Sequence, residues 1–75
     1  MIVDLIRQQL AEQLATVERH IIQSEMNVSA QHHRINATER ADGDATLSRS
    51  VLANFETALR LHYDHRDRIL RAMTT

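Results

Sequence analysis

The feature of this sequence that most constrains its fold is an aliphatic residue that recurs at every seventh position. Leu14, Ile21, Val28 and Ile35 form this series, and Val17 lies on the same stripe of a helix. A seven-residue apolar repeat is typical of a helix that packs lengthwise against another helix. The pattern therefore predicts a helix pair, and the contact surface between the two helices is called the seam below.

The first helix is predicted to be long. The chain contains no Pro, and its single Gly is Gly43, so no helix breaker interrupts the first forty residues. We predict a helix over about residues 2–41. The start of the chain leaves two alternatives open, because residues 1–13 either continue this helix or fold back as a short third helix.

The sequence Asp42-Gly43-Asp44 predicts the turn, at residues 42–44. Gly43 is expected to adopt the left-handed conformation that closes a helix, and Asp42 suits a turn. Asp44 is the expected N-cap of a second helix over about residues 45–72, with Thr46 as the competing cap.

An apolar stripe on the second helix supplies the other side of the seam. Folding the chain at the turn predicts that Val28 lies near Leu59 and that Val17 lies near Ile69. We therefore predict an all-α antiparallel helical hairpin that forms one domain over residues 1–75. The residues expected to form the core and to support self-association are Leu14, Val17, Ile21, Val28, Ile35, Leu52, Phe55, Leu59 and Ile69.

The size of the chain favours a homodimer. A domain of 75 residues buries a small core, and without Cys it cannot add a disulfide. In an isolated hairpin, half of each apolar stripe and most of residues 1–13 would stay in water. We expect two hairpins to associate as a symmetric four-helix bundle, with each N-terminal segment packed on the other subunit.

Charge argues against nucleic acid and membrane partners. The chain has nine Lys+Arg residues and ten Asp+Glu residues, so its net charge is −1. Arg60, Arg66, Arg68 and Arg71 occur near the end of the chain, but acidic residues are interleaved with them. A small RNA-type nucleic-acid-binding bundle is therefore only an alternative. No apolar run approaches the ~20 residues of a membrane span, and the expected location is the cytoplasm.

Histidines suggest a second alternative, a metal-binding bundle. His62 and His65 lie three residues apart on one helical face, and Glu25 is predicted to lie across the seam from His62. Two imidazoles and a carboxylate suit zinc or iron. Di-iron bundles, however, carry a Glu-x-x-His motif on one helix, and no Glu in this chain has His three residues later. We expect no resident metal or other cofactor.

No catalytic motif stands out. The serines have no glycine-rich elbow around them, and one isolated Gly cannot form a phosphate-binding loop. The sequence therefore favours a non-enzymatic structural or regulatory interaction protein, which self-associates through its heptad seam and binds a protein partner.

Overall fold

The computed structural model describes residues 1–74 and contains two α-helices joined by a short loop. Helix α1 spans Ile2–Arg40 and helix α2 spans Thr46–Thr74, which are 39 and 29 residues long. The two helices pack against each other as a hairpin. The molecule is a rod of 62 × 14 × 14 Å, one helix pair in cross-section. The prediction of an all-α helical hairpin is confirmed.

Helix α1 continues to Ile2 without a break. The alternative in which the first residues fold back as a third helix is therefore wrong. Because α1 is ten residues longer than α2, it extends roughly 15 Å beyond the end of its partner at ~1.5 Å per residue. Residues 1–9 are all exposed, and this segment is called the overhang below.

The left-handed residue of the turn is Asp42, with φ of 56°, and the prediction that Gly43 takes this conformation is wrong. The amide of Asp42 donates to the carbonyl oxygen of Glu39 at 3.1 Å, and the amide of Gly43 donates to that of Thr38 at 2.9 Å. This pair of bonds is a Schellman motif, which requires the left-handed residue one position earlier than predicted. Asp tolerates that conformation better than most residues.

Glycine at position 43 avoids a close approach instead. A Cβ added to Gly43 would lie 3.0 Å from Cγ2 of Thr38 and 3.2 Å from its carbonyl oxygen. The hydrogen bond from the Gly43 amide holds the two residues this close together. The absence of a side chain, rather than a positive φ, therefore explains the glycine.

The first turn of α2 is capped by Asp44, whose Oδ1 accepts hydrogen bonds from the Thr46 amide at 2.9 Å and the Thr46 hydroxyl at 2.6 Å. Asp44 thus satisfies one of the unpaired amides at the helix start. The N-cap position itself is Ala45, whose carbonyl oxygen accepts a hydrogen bond from the Arg49 amide at 2.9 Å, so the prediction that Asp44 is the N-cap is wrong by one residue. Thr46, the competing cap, is the first residue of α2. An ion pair between Glu39 and Arg49 links the two helices beside the turn.

Candidate functional site

The seam is the first candidate site, and its burial is uneven. Four of the nine predicted core residues are buried, namely Val17, Ile21, Ile35 and Ile69, and Val17 is only 1 % exposed. Ala45, which the pattern did not single out, is also buried, directly before α2. The remaining five predicted core residues are half-buried in the hairpin: Leu14, Val28, Leu52, Phe55 and Leu59.

Incomplete burial follows from the architecture, because each helix of a pair has only one neighbour. Two helices cover a narrow strip of each other, whereas the apolar stripe of α2 is wide enough to contact more than one helix. Val28 and Leu59, predicted to lie close together, line one shallow surface cleft. Water therefore reaches the middle of the seam from the side.

Polar residues occupy part of the seam. Gln31 is 5 % exposed and Ser24 is 8 % exposed, both on α1. The Gln31 side chain donates a hydrogen bond from Nε2 to the backbone carbonyl of Ser48 on α2 at 2.8 Å. Burial of a polar group is tolerated when it finds such a partner. This contact provides a reason for one of the polar positions in the heptad pattern of α1.

The three metal-ligand candidates from the sequence are not brought together. Glu25 accepts a hydrogen bond from the hydroxyl of Tyr63, next in sequence to His62, at 2.8 Å. This hydrogen bond is the main reason why the pKa of the Tyr63 phenol lies above its usual value of 10.0. His65 lines a surface cleft instead. Among residues 1–74, no three His, Asp or Glu side chains converge as they would around a metal ion.

A histidine that the sequence did not single out lies beside His62. The rings of His20 on α1 and His62 on α2 have centroids 5.2 Å apart and planes tilted by 50°. His20 also lines the open cleft of about 570 Å³ that contains His65 and Glu12. His20 immediately precedes the seam residue Ile21, so the sequence could have identified it as a residue next to the seam. Its pairing with His62 could not be predicted, because it depends on the axial register of the two helices.

The four arginines considered for nucleic-acid contact do not form a uniform basic surface. The guanidinium carbon of Arg66 lies 5.1 Å from the centroid of the Tyr63 ring, a cation–π distance. Arg66 Nε lies 3.8 Å from a carboxylate oxygen of Asp67. Arg66 is half-buried in the hairpin, whereas Arg60, Arg68 and Arg71 are exposed.

Exposed apolar side chains form the second candidate site. In the overhang, Ile2, Val3 and Ile6 are 74 %, 61 % and 50 % exposed. On α2, Leu47 and Leu61 are also exposed, and they lie two heptads apart on one side of the helix. Contiguous exposed apolar patches mark interaction sites, and of these two groups only the overhang side chains are close together in sequence.

No protein-family model, curated protein sequence or solved structure matches this chain. Neither helix, over the part of the chain that the structure describes, contains a segment with the length and apolar character needed to cross a membrane.

Proposed function

We propose that this chain is a non-enzymatic structural or regulatory interaction protein whose working form is a homodimeric four-helix bundle. The observation that carries the proposal is the exposed apolar face of the overhang. In this proposal a second copy covers that face, and a different protein binds to a surface that the dimer leaves free.

The overhang supports self-association because it continues the seam. Val3 lies one heptad before Leu10 and two heptads before Val17, so all three share one face of α1. Val17 is covered by α2, Leu10 is half-buried, and Val3 is exposed. The same apolar face thus runs past the end of its intramolecular partner, and another helix of the same kind is the partner that such a heptad face fits.

The half-buried residues in the middle of the hairpin also favour a second copy of the chain as the partner. Half-buried seam residues such as Phe55 and Leu59 would become buried if a second pair of helices packed alongside. Leu47, one helical turn before the half-buried Val51, and Leu61, further along the same side of α2, would widen the contact. A symmetric dimer uses each of these surfaces twice, which suits a chain too small to bury a large core alone.

A separate surface is assigned to the protein partner. Ile22 and Met26 are 58 % and 60 % exposed and lie one turn apart on α1. By helical spacing they point roughly 100–160° away from Ile21 and Val28, outside the seam. A second hairpin packed on the seam side leaves this pair accessible.

A matched pair of variants tests the dimer. Ile6→Asp places a charge in the overhang, outside the hairpin's own core, whereas Ile22→Asp makes the same change on a face outside the seam. Burial of an unpaired charge is strongly unfavourable, so Ile6→Asp should raise the dimer dissociation constant by about a hundredfold or more. Ile22→Asp should behave as the wild type.

Size-exclusion chromatography with light scattering, in EDTA, reads out the mass, and circular dichroism reads out helicity. The proposal requires a monomeric but helical Ile6→Asp chain beside a dimeric Ile22→Asp chain. A wild-type dimer that survives Ile6→Asp unchanged would show that the overhang is not the contact.

A further inference from the structure

We propose that His20 and His62 form a two-imidazole site for a divalent transition-metal ion of the zinc type. The inference is independent of the proposed function, since both ligands belong to one hairpin. The site joins α1 to α2 through a single ion, and water supplies the remaining ligands.

The spacing of the two rings fits one shared ion. An imidazole nitrogen binds zinc at about 2 Å, so the ring centroid lies about 3 Å from the ion, and two such rings at a tetrahedral angle have centroids about 5 Å apart. The observed separation of the His20 and His62 centroids is 5.2 Å. The tilt of 50° between the ring planes distinguishes the pair from a face-to-face stack.

The surroundings leave room for the other ligands. His20 lines the open cleft of about 570 Å³, so water and ions reach its ring from the surface. Among residues 1–74, no third His, Asp or Glu side chain converges with the pair, so water would have to supply the other ligands of the ion. Borderline divalent ions such as Zn²⁺, Ni²⁺ and Cu²⁺ favour imidazole, whereas Mg²⁺ favours oxygen ligands.

Metal binding at this site is coupled to the fold. His20 and His62 come together only when α1 and α2 are packed, so an ion that binds both stabilises the closed hairpin over the unfolded chain. Both rings must be neutral to bind the ion, and acidification therefore releases it.

The chain supplies its own control. His32 and His33 are adjacent on α1 and exposed, so their side chains point about 100° apart and do not form a pair. Glutamine retains a polar side chain of similar size but binds zinc poorly. We therefore compare His20→Gln and His62→Gln with the double change His32→Gln and His33→Gln.

The experiment is calorimetric titration of the full, tag-free chain with ZnCl₂ at pH 7.5, with thermal unfolding followed by circular dichroism. We expect one Zn²⁺ per chain and a rise in Tm of several degrees at a hundredfold excess over Kd. His20→Gln and His62→Gln should each weaken binding about tenfold or more, and the control should not. Mg²⁺ should have no effect.

The inference is wrong if Zn²⁺ leaves the wild-type Tm unchanged. It is also wrong if the His32 and His33 changes abolish binding while His20→Gln retains it. Should His20→Gln fail to fold, His62→Gln decides the question alone, because circular dichroism without metal shows which variants retain the hairpin.

Discussion

Gln31 and Ser48 form a hydrogen bond across the seam, from the side-chain Nε2 of the first to the backbone carbonyl of the second, at 2.8 Å. Gln31 is nearly inaccessible to water, so the contact lies inside the seam. A polar residue at one position of a heptad seam helps to fix the register of the two helices.

The first prediction concerns this bond. Gln31→Ala removes the hydrogen bond and leaves a space in the seam, so the free energy of unfolding should fall by roughly 1–3 kcal/mol. Gln23→Ala is the control, because Gln23 is exposed and bonds only within α1, to Asn27. Urea denaturation followed by circular dichroism measures both. Equal stabilities for the two variants would mean that the cross-helix bond contributes nothing.

The second prediction concerns the turn. Gly43→Ala should destabilise the hairpin by about 1 kcal/mol, because the new methyl group meets Thr38 at 3.0 Å. Thr38→Ser removes the Cγ2 methyl and should recover part of that loss in the double variant. Asp42→Gly should not destabilise, since glycine accepts the positive φ of that position. Chemical denaturation of all four chains forms the test, and a harmless Gly43→Ala would contradict the close approach.

The Gln31–Ser48 contact and the turn show which parts of the fold could be predicted from the sequence and which could not. The absence of breakers from Ile2 onward and the heptad series predicted both helices, and the turn residues were located within the loop. The sequence predicted the wrong left-handed residue, Gly43 in place of Asp42. That choice depends on the hydrogen bonds to Glu39 and Thr38, which form only once the end of α1 is in place.

The contact between His20 and His62 across the seam also could not be predicted from the sequence. A heptad pattern defines which face of a helix packs, but it does not fix the axial offset of the partner. The predicted register placed Glu25 opposite His62, whereas Glu25 binds the neighbouring Tyr63, and His62 lies beside His20. Such contacts depend on the length of the side chains and on their hydrogen-bonding partners. The spacing of residues along the sequence does not predict them.

The third prediction uses Tyr63, the single tyrosine of the chain. Its hydrogen bond to Glu25 raises the pKa of the phenol above the unfolded value of 10.0. A raised folded pKa means that this stabilisation is fully present below pH 10.0 and is lost as the pH rises through the folded pKa. Absorbance at 295 nm against pH should therefore give a midpoint above 10.0, which Glu25→Ala lowers.

Glu18→Ala is the matched control for that titration, because it removes a negative charge from α1 without touching the Tyr63 hydroxyl. Identical midpoints for Glu25→Ala and Glu18→Ala would argue that the phenol does not sense the Glu25 carboxylate.

The fourth prediction concerns Asp44. Hydrogen bonds from the Thr46 hydroxyl and then the Thr46 amide lower the pKa of the Asp44 carboxyl below its usual 3.8. A lowered folded pKa stabilises the hairpin above pH 3.8, and this contribution is lost as the pH falls through the folded pKa. Asp44→Ala should therefore lower Tm at pH 7, and the difference from the wild type should shrink below pH 3.8.

Thermal melts over this pH range provide the readout, with Asp64→Ala, on α2 and away from either helix end, as the control. A Tm difference that is constant from pH 7 down to pH 2 would contradict a role for the ionised Asp44 carboxylate.

The most direct measurement of the central proposal is sedimentation equilibrium of the wild-type chain in EDTA, from low to high micromolar concentration. Association through the overhang and the seam predicts a mass that rises to twice the 8.6 kDa of one chain and then stays constant. A mass of one chain at every concentration would contradict the dimer, and a mass that keeps rising would contradict its closed two-fold symmetry.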